Sequence, residues 1–194
     1  MFGGTVFAFM MCILGVSQST AAQSNEADVR ATDILAIDAG GRGIANWKAD
    51  AGSPSYTLHS TAPVITAGVP SAAPQSVYDS QRFFDGTLVY SMAGLRPHTA
   101  YAVRLHFAEL VENARGQRLF NISVNGHRVY TNFDVFAAAG GKFHAIVERF
   151  VTTADPTGQI GIALMPVRGN PIINGVEIQR SNNLRSLVLN KASR

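Results

Sequence analysis

The chain has 194 residues, of which 46% are hydrophobic and 15% charged, with a formal net charge of +3. That length and composition suit one domain with a proper core and exclude a disordered chain. The basic residues form no cluster and are not interleaved with aromatics, so a nucleic-acid binder is not expected.

Residues 1–16 form an uncharged apolar run, and a small polar stretch ending Ala21-Ala22-Gln23 follows it. This is the apolar segment and small-residue cleavage pattern of a secretory signal peptide, here without the usual positive start. The run is shorter than the roughly 18 apolar residues expected of a membrane span, an uncleaved anchor being the alternative. We therefore expect a signal peptide over residues 1–23 and a linker over 24–32. The mature chain is expected to be secreted or otherwise extracytoplasmic, with no stable membrane span. Cys12, the single cysteine, lies inside the leader, so the domain must rely on its core and not on disulfides.

Residues 34–38 (ILAID) read as a short buried strand, followed by a glycine-rich turn at 39–43. No Gly-Lys-Ser/Thr follows, so this is no phosphate cradle. Residues 46–73 are rich in Ser, Pro, Ala and Gly, with Trp47, Tyr56 and His59 scattered through them. A loop that long inside a small domain is either functional or poorly ordered. Strands are expected at 77–84 and 87–92, joined as a hairpin through Asp85-Gly86.

The centre of the chain is the stretch 101–126. Tyr101, Val103, Leu105 and Phe107 share one face of a strand, opposite Arg104 and His106. After a polar turn, Phe120, Ile122 and Val124 alternate with Leu119, Asn121 and Ser123, and Asn125-Gly126 supplies a two-residue turn. Residues 127–133 continue the sheet, 137–142 form a flexible connection, and 143–153 form a strand with both faces partly apolar. Ile160, Ile162 and Leu164 alternate cleanly, and a last strand runs over 172–178, with a polar tail at 181–194. With no convincing helix and no internal repeat, the pattern predicts an all-β fold, an antiparallel β-sandwich of jelly-roll type.

Catalytic signals are weak. The five histidines have no metal-ligand spacing, His106 reads as a surface or inter-sheet residue, and there is no nucleophile elbow. Neither a metal nor a cofactor is expected. Glu109 with Asp50, Asp79, Asp134 or Glu112 could supply a glycosidase pair, but nothing in the spacing brings two of them together. Binding fits better, because sugar rings stack apolar faces on aromatics and offer hydroxyls to planar polar groups. Trp47, Tyr56 and Tyr78 are the aromatic candidates; Arg82, Glu109, Asp50 and Asn174 are the polar ones. Tyr78 could equally be core, and Arg82 could be paired as structural support. Asp38 and Asp134 read as turn caps. Asn121-Ile122-Ser123 is formally a glycosylation acceptor, expected to stay unmodified because it lies mid-strand.

Six pieces in order carry a family likeness: IDAGG at 37–41, VYDSQR at 77–82, LHFAE at 105–109, G-x-R-x-F-x-I-x-V-N-G at 116–126, FDV at 133–135 with Gly140-Gly141, and PIINGVEI at 171–178. Together they resemble the malectin family of carbohydrate-binding domains over about residues 33–180. The resemblance implies a galactose-binding-domain-like sandwich, with Tyr78 matching the tyrosine of the family's L-Y-x-x-x-R stretch and Tyr56 standing for one in the loop before it. It also shows departures. Leu110, Val111 and Glu112 follow Glu109 where the family carries an aromatic pair, and Gly169 replaces an acidic residue before Asn170-Pro171. In these respects the chain is more similar to bacterial and plant malectin-like modules. The expected function is non-catalytic binding of a glycan partner, a glucose-containing or cell-wall oligosaccharide, near Tyr78 and Glu109. The alternative is a protein-interaction or assembly module with a degenerate sugar site and a protein partner.

Overall fold

The computed structural model describes residues 34–50 and 55–181. The expected leader, the linker and all but the first residue of the tail lie outside the described residues. Twelve strands and two short helices follow one another there. They are β1 (Ile34–Asp38), β2 (Trp47–Ala49), β3 (Tyr56–His59), α1 (Gln75–Tyr78), β4 (Ser80–Phe83), β5 (Leu88–Met92), β6 (Ala100–Ala108), β7 (Leu119–Val124), β8 (His127–Phe133), α2 (Val135–Ala139), β9 (Ala145–Thr153), β10 (Ile160–Arg168), β11 (Ile172–Ile173) and β12 (Gly175–Arg180). No helix among the described residues is long and apolar enough to cross a membrane.

A five-stranded sheet, β2-β1-β12-β6-β9, lies against a four-stranded sheet, β5-β10-β7-β8. Pairing is antiparallel except between β1 and β2. The period-two face read from the sequence fills the space between the sheets. Val103, Leu105 and Phe107 of β6 meet Phe120, Ile122 and Val124 of β7 and Ile160, Ile162 and Leu164 of β10, all buried. Phe107, Phe120 and Phe133 pack as a triad with ring centroids 5.3–6.0 Å apart. The Asn125-Gly126 turn has φ of 49° and 75°, the left-handed pair that a two-residue hairpin needs. The molecule is the antiparallel β-sandwich that the alternation predicts.

Four local expectations need correction. The Asp85-Gly86 turn closes no hairpin, because β4 pairs with β3 and β11 in a third, three-stranded sheet while β5 pairs with β10. Turn chemistry marks where a chain reverses and says nothing about which sheet receives the next strand. Residues 75–78 and 135–139 are single helical turns where the sequence suggests strand and loop. Asp134 caps the second by accepting from Ala137 N–H, and Gly140 ends it at φ 83°. The last strand is broken at Asn174 into β11 and β12, so that Ile172 and Ile173 are both fully buried.

His106 is the fourth. It does point away from the main core, yet it has no exposed surface. Residues 60–74 and α1 cover this end of the five-stranded sheet, burying Val64, Ala73, Val77 and Tyr78 against Trp47, Ala108 and Ala145. Alternation within β6 could not reveal that a distant loop roofs its polar face.

Replacing a ring of the central triad leaves a void between both sheets, whereas an outward-facing strand residue leaves none. Phe120→Ala should cost about 3–5 kcal/mol in urea unfolding, and Val89→Ala, at a side chain 58% exposed, no more than about 0.5 kcal/mol.

Candidate functional site

Asn174 sits in the break between β11 and β12 and is wholly buried. Its backbone N–H donates to His106 C=O, and its carbonyl accepts from Ala39 N–H, both at 2.9 Å. The side-chain oxygen accepts from Ala108 N–H at 2.7 Å, while the amide nitrogen donates to Ser80 C=O at 2.7 Å and Tyr78 C=O at 3.4 Å. One residue thus joins β1, β6, α1 and β4. Gln81 reinforces the same junction by donating to Ala108 C=O at 2.8 Å.

Tyr78, also without exposed surface, places its hydroxyl 3.0 Å from His106 Nδ1 and accepts from Ala73 N–H at 3.3 Å. Burial pushes this hydroxyl up to about 12. Burial likewise holds the His106 imidazole below its ordinary value, although Glu177 pulls the other way. Trp47 meets the same imidazole edge-on, with centroids 5.0 Å apart. Glu177 is itself held low: burial would raise it, and His106 and Arg104 outweigh that effect.

The other polar candidates are also turned inward. Asp50 and Arg82 form an ion pair at 2.6 Å with side chains 5% and 9% exposed, and Tyr90 donates to Asp50 at 2.8 Å. Burial first, and Asp50 beside it, raise the Tyr90 hydroxyl. Glu109 is fully buried; it accepts from Arg118 Nε at 2.8 Å and from the N–H groups of Val111 and Glu112. Of the six expected binding residues only Tyr56 faces solvent, at 62% exposure, stacked on Phe83 at 5.4 Å. The aromatic candidate Trp47 is buried.

Beside Tyr56 a groove of about 360 Å³ lies over the three-stranded sheet. Its floor is Leu58 of β3, Gln81 and Phe83 of β4, and Ile172 of β11, which the register places on one face. Its rim is Val111, Glu112 and Arg118 on one side and Gly169 and Asn170 on the other. Arg118 braces both rims by holding Glu109 and Glu112 while donating to Asn170 C=O. The guanidinium is therefore spent on the walls, and the groove offers a mainly apolar floor with polar edges that carry the Arg118–Glu112 pair. No cluster of three or more potential metal-ligating side chains occurs among the described residues. Sequence reasoning missed the floor because Leu58, Phe83 and Ile172 look like ordinary core. It named Val111, Glu112 and Gly169 of the rim, as departures from the family pattern and, for Glu112, also as half of a carboxylate pair.

A family model described as the malectin domain matches residues 33–179. The chain belongs to the malectin domain family. A probable receptor-like protein kinase of Arabidopsis thaliana is 30% identical over 150 residues, covering 69% of this chain and 17% of the kinase. The malectin chain thus spans less than a fifth of that relative. The crystal structure of the ANXUR2 extracellular domain from Arabidopsis thaliana superposes with a TM-score of 0.68 at 20% identity, covering 77% of this chain and 49% of that one. A crystal structure of plant peptide RALF23 in complex with FER and LLG2 gives a TM-score of 0.64 at 21% identity, covering 77% of this chain and 49% of that one. These solved structures share the fold.

If Arg118 braces the rims, its loss strands a buried carboxylate. Arg118→Met should lower stability by about 3–5 kcal/mol, and adding Glu109→Gln should restore more than about 1 kcal/mol of it by removing the charge. Thermal unfolding of the two variants decides this; an additive double variant would deny the coupling.

Proposed function

We propose that this malectin domain binds carbohydrate without catalysis, in the groove over the three-stranded sheet. The observation that carries the reading is Tyr56, a broadly exposed ring held flat from behind by Phe83 and set beside an apolar floor. An aromatic shelf with polar rims matches the apolar face and hydroxyl edge of a sugar ring. Glucose-containing or cell-wall oligosaccharides remain the class of choice. Tyr56 touches the ligand in this reading. Glu109 holds the rim, and Tyr78, Asn174, Asp50 and Arg82 hold the sheet beneath, because each is turned away from solvent. Hydrolysis would require two facing carboxylates, and Glu112 is the one carboxylate among the groove-lining residues. A site outside the cytoplasm is supported by the extracellular domain among the structural neighbours.

A second reading has its own support. Val111 and Gly169 stand in the rim where the family pattern has an aromatic and an acidic residue, and a structural neighbour is seen with a plant peptide. On that reading the same groove takes a protein segment.

A glycan array probed with the folded protein separates the two. We expect selective binding of a glucose-containing or cell-wall oligosaccharide that Tyr56→Ala weakens by about tenfold or more, the loss of one stacked ring. A blank array from folded protein transfers the groove to a protein partner.

A further inference from the structure

The segment joining β3 to β4, residues 60–79, connects two strands that floor the groove, and a buried histidine fastens it. Within the segment, Ser60 N–H bonds Asp79 C=O and Ala73 N–H donates to the Tyr78 hydroxyl; to the body, Ile65 bonds Phe143 and Ala145, and the Tyr78 hydroxyl lies 3.0 Å from His106 Nδ1. We assign the Tyr78 proton to His106 Nδ1, which places the imidazole proton on Nε2. Nε2 is buried and has no hydrogen-bond partner among the described residues; Glu177 Oε2 lies 3.6 Å from it, too far for one.

Protonation changes this arrangement. The groups facing His106 are Tyr78 from α1 and Glu177 from β12, with Arg104 of its own strand bonded to Glu177 at 2.8 Å and Arg149 of β9 opposite Arg104. β2 brings the uncharged Trp47, and β9 sets Val147 opposite the histidine. A second proton must go on Nδ1. That nitrogen then donates where it now accepts, and the Tyr78 proton loses its acceptor. Nε2 at the same moment gains a reason to close on Glu177, which Arg104 already holds. We propose that His106 is an acid-sensitive latch whose protonation loosens residues 60–79 and thereby weakens ligand binding in the groove. The effect reaches the floor directly, since Asn174 bonds the carbonyls of Tyr78 and Ser80, and Gln81 lines the groove.

The sign follows from burial. An unfolded histidine takes its proton near pH 6.5, and the folded one does so lower, so protons favour the open state. The stability that neutral His106 contributes is full above about pH 6.5 and is lost as pH falls toward the folded value. The latch regulates the groove of the preceding proposal and rests on that reading for its ligand, though its opening does not.

Hydrogen–deuterium exchange on the whole chain, corrected for intrinsic rate, tests the opening at about pH 7.5 and about pH 5. Exchange across residues 60–79 should rise about tenfold or more at the acid pH, with the Phe120 core unchanged. Tyr78→Phe, which lacks the hydroxyl, should exchange fast at both pH values, and His106→Gln should lose the pH dependence. Unchanged exchange in the wild type, or a pH dependence that survives His106→Gln, overturns the latch. Should His106→Gln not fold, Tyr78→Phe alone decides, since a segment still protected at pH 7.5 without the hydroxyl refutes the anchor. Calorimetric titration with a glucose disaccharide addresses the groove. Affinity that falls several-fold between the two pH values supports regulation, and equal affinity with an opened segment overturns it. No binding at either pH is a failure of the sugar reading, and the exchange result then still judges the latch.

Discussion

The structure depends on how a buried backbone break is satisfied at Asn174. A strand interrupted inside a sandwich exposes N–H and C=O groups that water cannot reach, and each left unpaired would cost about 1–3 kcal/mol. Asn174 meets that demand from both sides. Its backbone stays in register with β1 and β6, while its side chain reaches sideways to the strand that leaves for the third sheet. An aspartate has no donor for the Ser80 and Tyr78 carbonyls, and a leucine has neither donor nor acceptor. The third sheet, and the groove on it, are positioned by this amide.

The described residues contain no cysteine, so no disulfide ties the third sheet to the sandwich. Buried polar pairs do that work. Asp50 with Arg82 and Tyr90 links the end of β2 to β4 and β5; Glu109 with Arg118 links the two groove rims; Asp134 accepts from Gly116 N–H at 2.6 Å as well as capping α2. Each pair lies where the chain passes from one sheet or loop to another, where apolar packing has least surface to offer. In the Asp50–Arg82 and Glu109–Arg118 pairs, removing one partner costs far more than the pair contributes, because the other is left charged and dry.

That division explains what could be read in advance. The sandwich was legible because alternation reports directly on which face is buried: Val103, Leu105, Phe107, Phe120, Ile122 and Val124 all lie where period two puts them. Turn caps at Asp134 and Asn125-Gly126 were legible because they are local. Of the residues expected to bind, Tyr56 alone is exposed. Asp50, Arg82, Glu109 and Asn174 carry the residue types that sugar recognition uses, and buried junctions use those same types for the same donors and acceptors. Only distant contacts separate the two uses: the roof over β6 comes from residues 60–74, and Glu109 meets Arg118 across a turn.

β6 shows why these roles cannot be assigned one strand at a time. Its odd positions build the main core, and its even positions face a second, smaller core that ends in His106 and the Arg104–Glu177 pair. A change on one face is therefore felt on the other through a backbone whose hydrogen bonds to β9 and β12 admit no local slip. Phe107 fixes the position of Ala108, whose N–H and C=O are taken by Asn174 and Gln81. The groove floor thus inherits its geometry from the aromatic core two residues away. Gln81 of the floor bonds the C=O of Ala108, two residues along β6 from the buried imidazole, so β4 and the histidine are joined through one strand.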